Sequence, residues 1–197
     1  MEKTASILPI IEKRWSPRAF DPKRLVDIES LLNLFEAARW APSTGNEQPW
    51  RFVVGVNFDQ CHKDILSTLA EGNQRWAMNA PVLLIAVTKL VRNNRPNRLA
   101  LHDLGLATEN LYLQAYDLDL YCHFMGGFSQ EKARELFGIP SDYEPVTAAA
   151  IGYPGELDAL PDDLRQREVA PRQRKPLNEL VFTGKWENPL NLPSNYY

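Results

Sequence analysis

The feature that most constrains this chain is an unbroken apolar run, PVLLIAV, at residues 81–87. A strand that is apolar at every position has no face for water, so it is expected inside a sheet that is covered on both sides. The run is also far shorter than the roughly 20 apolar residues that a membrane-spanning helix needs. It therefore predicts a buried strand in a layered, water-soluble fold.

Helix and strand patterns alternate around this run. Residues 28–39 are predicted to form a helix that Asp27 caps, with an apolar face of Ile28, Leu31, Leu32 and Phe35. Four more helices are predicted: one that ends near residue 14, one over 59–70, one over 98–115 and a short one that begins after Ser129. The other predicted strands span 51–56, 120–124 and 146–153. This order predicts an α+β fold, a layered sheet flanked by helices.

The 197 residues suit one domain, with a core over about 10–182 and a C-terminal tail over 176–197. The stretch 154–176, rich in proline and charge, is interpreted as a surface excursion. The helix 98–115 is apolar on two sides, and the tail regains apolar residues beyond the core. Because both need further surface to pack on, we predict a homodimer whose tail packs on the partner subunit.

Charge and cysteine content exclude several classes of protein. The formal net charge of −3 is too small to indicate a surface for nucleic acid or anionic membrane. Cys61 and Cys122 make no disulfide framework, and the first residues lack the pattern of a signal peptide, so we expect a cytoplasmic protein. The three histidines are scattered without metal-ligand spacing; we expect structural roles for them and no metal.

The first candidate site segment is Arg14-Trp15-Ser16-Pro17-Arg18. Two guanidiniums flank a hydroxyl, and guanidinium presents a planar set of donors that suits phosphate oxygens. The segment therefore indicates an anion site. The alternative is a pair of surface arginines in salt bridges.

The second candidate segment, APSTGNEQPW, spans residues 41–50 between a predicted helix and a predicted strand. Ser43, Asn46 and Gln48 offer hydroxyl and amide groups that match the C=O and N–H edges of a heterocycle. Pro42 and Pro49 restrict the two ends of the loop. The alternative is an ordinary loop, which favours the same residue types.

The third candidate segment, FMGGF at 124–128, follows a predicted strand. Paired glycines, Gly126 and Gly127, let a backbone approach a flat ligand closely and direct an N–H at it. The alternative is a plain strand-to-helix turn.

Together and in this order, these segments resemble the nitroreductase family. The first resembles its RxSxRxF motif, and EAARWAPSTGNEQPW resembles its EAxxxAPSxxNxQPW segment with the same spacing. The later LFGIP, AIGYP and RKPL sequences also fall in the expected order. The resemblance covers roughly residues 10–182, and the PSTGNEQPW element is its most specific part.

The resemblance implies a homodimer that binds FMN non-covalently at the subunit interface. Arg14, Ser16 and Arg18 would contact the flavin from one subunit, with Arg14 at the phosphate and Arg18 at the ribityl chain or pyrimidine edge. Trp15 departs from the Arg or His of many members, although its backbone can still serve. The remaining expected contacts are Pro42, Ser43, Asn46 and Gln48 from the other subunit, Asn73 at the pyrimidine, the Gly126 N–H at flavin N5 with Gly127 beside it, and Arg174 and Lys175 at the phosphate.

The implied activity is a two-step hydride transfer, from NADH or NADPH to flavin N5 and then to an acceptor such as a nitroaromatic or a quinone. No side chain is expected to be catalytic, because the flavin carries the chemistry. Three alternatives stay open: a flavin-dependent dehydrogenase or reductase for another metabolite, a flavin-binding protein without turnover, and a plain dimer whose arginines form salt bridges. The polar segment at 92–95 matches no motif and is expected to be a loop outside the site.

Overall fold

The computed structural model of this protein describes residues 5–190. Its six strands are β1 (Trp50–Val56), β2 (Val82–Lys89), β3 (Val91–Arg92), β4 (Arg95–Pro96), β5 (Tyr121–Met125) and β6 (Tyr143–Gly152). Its seven α-helices are α1 (Pro9–Lys13), α2 (Ile28–Arg39), α3 (Gln60–Thr68), α4 (Glu71–Ala77), α5 (Ala100–Asp117), α6 (Gln130–Phe137) and α7 (Asp162–Glu168). The α+β architecture predicted from the sequence is confirmed.

Four strands form one antiparallel sheet in the order β1-β2-β6-β5. Strand β2 is central, and its residues from Val82 to Thr88 are buried, as the apolar run predicted. Val82, Leu84 and Ala86 pack against the layer of α2 and α5. Leu83, Ile85 and Val87 pack against the layer of α3, α4 and α6. The strand is apolar throughout because each face of the sheet carries its own core.

Helix α2 begins where the sequence predicted, since the Asp27 carboxylate accepts a hydrogen bond from the N–H of Ser30 at 2.8 Å. The predicted apolar face is wrong at two positions. Ile28 and Leu32 are 71% and 62% exposed in the single chain. The buried side chains are Leu31, Leu34 and Ala38, a stripe that lies roughly 100° around the helix from the two exposed residues and packs on α5.

Two helices and one hairpin were not predicted. Helix α4 follows α3 almost directly, and the segment at 91–96 is a two-stranded hairpin with positive φ angles at Asn93 and Asn94. The second helix is α7, within the stretch interpreted as a surface excursion. Leu160 and Leu164 are buried there, so this stretch contributes to the core through two leucines four residues apart.

The end of the described chain lies on the surface. Every residue from Pro171 to Leu190 is exposed except Phe182, which is partly buried, and Trp186 is 82% exposed. The last part of the predicted tail, 191–197, lies outside the described residues, and tail packing on a partner stays a prediction. Within residues 5–190 no helix is long and apolar enough to cross a membrane. The cytoplasmic location also stays a prediction.

Candidate functional site

The first motif is attached to helix α5 through Tyr112. Arg14 Nη1 donates a hydrogen bond to the Tyr112 phenolic oxygen at 3.1 Å, and the guanidinium carbon lies 4.8 Å from the centre of that ring. The Ser16 hydroxyl is 2.6 Å from the same phenolic oxygen. Burial raises the pKa of Tyr112, so the phenol stays protonated and can donate to Ser16 while it accepts from Arg14. The sequence analysis missed Tyr112. The only indication in the sequence was a tyrosine, with its polar hydroxyl, next to the apolar stripe of α5.

Arg18 and Trp15 are held by Glu168, the last residue of α7. The Arg18 backbone N–H donates to Glu168 Oε2 at 3.0 Å, and the Arg18 guanidinium approaches the same oxygen at 3.7 Å. Trp15 Nε1 donates to Glu168 Oε1 at 3.4 Å, while its ring lies 4.4 Å from that of Tyr121. In this chain Arg18 therefore forms a salt bridge, and the same contact brings α7 to the first motif.

Five arginines surround a cavity of about 190 Å³ beside this motif, which we call the arginine cavity. It is lined by Arg14, Arg18, Arg167, Arg172 and Arg174, with Trp15, Ser16, Glu168 and Ala170. Arg172 closes it by donating to the Arg14 carbonyl oxygen at 2.7 Å. Glu168 is the single carboxylate of the lining, so the cavity carries a large excess of positive charge.

The arginine cavity has the donors that a phosphate group requires. The Arg14 Nε–H is buried and has no hydrogen-bond partner within the part of the chain that the structure describes. A buried donor without a partner is costly, which favours an acceptor such as a phosphate oxygen there. Lys175 is not part of this lining; its side chain is 72% exposed and pairs with Glu179 at 3.9 Å.

His123 fixes the centre of the first motif. Its Nδ1 lies 2.8 Å from the carbonyl oxygen of Pro17, and its ring lies 4.5 Å from that of Trp76. Burial lowers the pKa of His123 to about 4, with a smaller contribution from the Arg18 charge. The ring is therefore neutral near pH 7 and donates its Nδ1–H to Pro17, the residue between Ser16 and Arg18. This is a structural role, as expected for the histidines.

The glycine turn and Asn73 come together, although 54 residues separate Asn73 from Gly127. Asn73 Nδ2 donates to the Gly127 carbonyl oxygen at 3.0 Å, and the Ala70 N–H donates to the same oxygen at 2.9 Å. A Cβ on Gly127 would lie 2.9 Å from Asn73 Nδ2, so no larger residue fits without a shift. At Gly126 a Cβ would meet no atom within 4 Å. The turn thus offers its backbone to open space at Gly126.

The loop at 42–48 is internally ordered and anchored to the start of α5. Gln48 donates its N–H to Ser43 Oγ at 3.0 Å and its side-chain amide to Asn46 Oδ1 at 3.0 Å, while Pro42 is exposed. The buried Asp103 carboxylate accepts from the N–H and hydroxyl of Thr44 at 3.1 and 3.3 Å. Sequence reasoning missed this carboxylate, because an acidic residue in the first turn of a helix is ordinary.

The single chain does not bring this loop to the arginine cavity. Asp103 and Tyr112, the two anchors, are nine residues apart on α5, which is about 13 Å along the helix axis. Among residues 5–190, no hydrogen bond joins the loop to the first motif or to the glycine turn. One subunit therefore presents two separate parts of the predicted site.

The segment 92–95, which matches no motif, contacts the 42–48 loop. Arg92 Nε pairs with Glu47 Oε2 at 3.0 Å, and its guanidinium packs directly against Gly45. Gly45 has a φ of +59°, a conformation that costs glycine little. The hairpin of β3 and β4 is therefore part of the support of the 42–48 loop.

The described residues hold no cluster of three His, Cys, Asp or Glu side chains that could bind a metal. An antiparallel sheet between two helical layers, with an arginine-lined cavity and an open glycine turn, defines an α+β protein with a concentrated basic cavity. A model of the nitroreductase family matches residues 11–57 and 56–153. This chain belongs to the nitroreductase family.

Individual relatives agree with this assignment. A protein of Archaeoglobus fulgidus, provisionally named an NADH dehydrogenase/NAD(P)H nitroreductase, is 31% identical over 151 residues, 75% of this chain and 84% of that protein. A solved structure described as an oxidoreductase containing FMN is 36% identical, with a TM-score of 0.90 over 95% of this chain and 96% of the other. A solved structure from Desulfovibrio desulfuricans, provisionally named a nitroreductase and in complex with FMN, shares the fold, with a TM-score of 0.72 and 23% identity over 92% of this chain and 99% of that chain.

Proposed function

We propose that this protein is an FMN-dependent oxidoreductase that uses NADH or NADPH. The observation that carries the proposal is the arginine cavity, a place for a phosphate at the first motif, which His123 links to β5 three residues before the open glycine turn. The solved oxidoreductase that contains FMN supports it, since it is 36% identical to this chain over 95% of its length.

The residues divide into those that hold the phosphate and those that face the ring. Arg14, Arg18 and Arg174 supply guanidinium donors for the phosphate, and Arg14 keeps its Nε–H unpartnered for that purpose. Ser16 stays a predicted flavin contact, and its hydroxyl is oriented by Tyr112. Lys175 remains a predicted contact of the phosphate, and the backbone of Trp15 remains a predicted contact of the flavin.

Gly126 and Asn73 would contact the flavin ring. The open space in front of Gly126 lets its N–H reach flavin N5, and Gly127 keeps Asn73 beside the turn. Bound FMN would accept a hydride from the nicotinamide and pass the electrons to an acceptor such as a nitroaromatic or a quinone. The protein's own part is to bind, orient and limit access, so no side chain needs to act as an acid or a nucleophile.

We further propose a homodimer in which the loop at 42–48 of one subunit covers the flavin held by the other. The separation of about 13 Å between the anchors of the two site parts along α5 supports this arrangement. Exposed apolar residues support it as well, since Ile28 and Leu32 of α2, Trp40 at the end of α2 and Trp186 in the tail are largely exposed in the single chain. Such residues normally mark an interface when they cluster.

The cofactor proposal is tested by releasing the flavin with acid and identifying it by chromatography. We expect a yellow protein that yields FMN and that bleaches when NADH or NADPH is added without oxygen. Recovery of mainly FAD would contradict the FMN assignment. A yellow protein that neither nicotinamide bleaches would instead be a flavin-binding protein without turnover.

The dimer is tested by ending the chain after Pro176. Residues 177–190 bury little in the subunit, so the shortened protein should keep its circular dichroism spectrum. We expect the full chain to sediment as a dimer and the shortened chain to dissociate at a higher concentration. A full chain that binds FMN as a monomer would contradict the proposal.

A further inference from the structure

A second basic cavity lies at the hairpin of β3 and β4, next to Thr44 of the 42–48 loop. Its volume is about 590 Å³, and we call it the hairpin cavity. It is lined by Thr44 of the loop and by Arg92, Asn93, Arg95, Asn97 and Arg98. It shares no lining residue with the arginine cavity.

The hairpin cavity carries uncompensated positive charge. Arg92 is paired with Glu47, but Arg95 and Arg98 are exposed and have no ion pair within residues 5–190. The nearby Asp103 carboxylate is already engaged with Thr44 and is buried beneath the loop. Two free guanidiniums in one concave surface match the charge of a phosphate monoester, which is close to −2 at neutral pH.

The cavity is shaped by backbone that is held in place. The Asn97 N–H donates to the Leu90 carbonyl oxygen at 2.7 Å, and Asn97 Oδ1 accepts from the Leu99 N–H at 3.3 Å. These bonds close the hairpin and lead directly into α5. Arg95 and Arg98 therefore project from a short, fixed segment rather than from a long loop, which lowers the entropy lost when they bind a ligand.

The hairpin is attached to the loop that the proposed function places over the flavin. Arg92 contacts Glu47 and Gly45 of the loop. The hairpin cavity therefore lies next to the loop, also when the loop covers the flavin of the partner subunit. A nicotinamide nucleotide bound over the flavin extends away from the ring toward its adenosine end. Because the arginine cavity is assigned to the FMN phosphate, a second phosphate needs a second site.

We infer that the hairpin cavity binds the 2′-phosphate of NADPH and makes the protein prefer NADPH over NADH. The inference rests on the proposed function for the identity of the co-substrate. The binding chemistry, two guanidiniums on a phosphate monoester, rests on the hairpin alone. Arg95 and Arg98 are the specificity residues, and Arg92 supports them through its contact with the loop.

The test measures binding by calorimetry to protein saturated with FMN, with adenosine 2′,5′-bisphosphate and 5′-AMP as ligands. We expect the bisphosphate to bind about tenfold or more tightly than 5′-AMP, and the Arg95→Ala/Arg98→Ala protein to lose this difference. Arg24→Ala is the matched control, since Arg24 is exposed, stacks on Tyr153 and lines neither cavity. Equal affinities for the two nucleotides, or a double variant that keeps the difference, would overturn the inference.

Turnover gives the second arm. In the double variant the KM for NADPH should rise about tenfold while the KM for NADH changes less than about twofold. Equal rises in both KM values would overturn the assignment to the 2′-phosphate. The calorimetric experiment does not require reduction of the flavin. If the protein oxidises neither NADH nor NADPH, the proposed function is refuted, but nucleotide binding at the hairpin cavity can still be measured.

Discussion

The hydroxyl of Ser16 and the phenolic oxygen of Tyr112 lie 2.6 Å apart, across 96 residues of sequence. Arg14 donates to the same phenolic oxygen at 3.1 Å. One buried phenol on α5 thus orients two of the three polar side chains of the first motif. Helix α5 also carries Asp103, which anchors the 42–48 loop. The same helix therefore positions both parts of the proposed flavin site.

Tyr112→Phe should weaken FMN binding without unfolding the protein. Loss of the phenolic oxygen removes its hydrogen bonds to Arg14 and Ser16, and each lost hydrogen bond costs about 1 kcal/mol of unfolding free energy. We expect FMN affinity to fall about fivefold or more in a fluorescence titration, by the relation of 1.4 kcal/mol to a factor of ten. Tyr116→Phe, one turn along α5 and in edge-to-face contact with Tyr121, is the control. Equal affinities for the two variants would remove Tyr112 from the site.

Glu168→Gln should tighten the binding of FMN but leave riboflavin binding unchanged. Glu168 is the carboxylate of the arginine cavity, and its charge opposes that of a phosphate. The glutamine still accepts from the Arg18 N–H, so the backbone contact is retained. An electrostatic effect of about 1 kcal/mol predicts about fivefold tighter FMN binding.

Riboflavin, which lacks the phosphate, is the matched ligand for this experiment. Asp158→Asn is the matched variant, because Asp158 lies in the same segment, is 91% exposed and pairs with Arg165 instead. If Glu168→Gln changes the affinity for both flavins by the same factor, the arginine cavity does not hold the phosphate.

Gly126→Ala should separate stability from function. A methyl group there meets no atom within 4 Å in this chain, so the free energy of unfolding should change by less than about 0.5 kcal/mol. The same methyl group would occupy the space proposed for the flavin ring. We expect flavin bleaching by NADPH in a stopped-flow instrument to slow about tenfold or more, or FMN to be lost. Unchanged bleaching would show that the ring lies elsewhere.

His123 should make stability depend on pH in a defined window. The pKa of His123 is about 4 in the folded protein against 6.5 for an unperturbed histidine. The unfolded chain therefore binds the proton first as the pH falls, and the free energy of unfolding decreases from about pH 6.5 down to about pH 4, by up to about 3 kcal/mol. Above pH 6.5 this contribution is fully present.

His123→Asn is the variant for the pH experiment, since asparagine can donate to the Pro17 carbonyl oxygen and does not titrate. Urea unfolding of both proteins at several pH values gives the difference directly. His62, whose pKa burial also lowers, is common to both proteins and cancels. Parallel stability curves for the two proteins would contradict the burial of a neutral His123.

The sequence by itself determined the local structure and the family. An apolar run at 81–87 required a strand covered on both faces, Asp27 and Ser129 marked helix starts through side-chain acceptors for backbone N–H groups, and the spacing within APSTGNEQPW carried the resemblance. These signals are local, since each depends on neighbouring residues and on the period of one element. The same locality explains the error at Ile28 and Leu32, where apolar character alone could not say which side of α2 meets α5.

Only the tertiary structure decided which distant groups meet. Glu168, Tyr112, His123 and Asp103 have no motif of their own, and each acquired its role from a partner at least 59 residues away. The pairing of Arg92 with Glu47 likewise turned a polar segment without a motif into the edge of a basic cavity. Hydrogen bonds and ion pairs act over about 3–4 Å in space regardless of chain separation, so their partners are set by how the layers pack on the sheet, which no local pattern encodes.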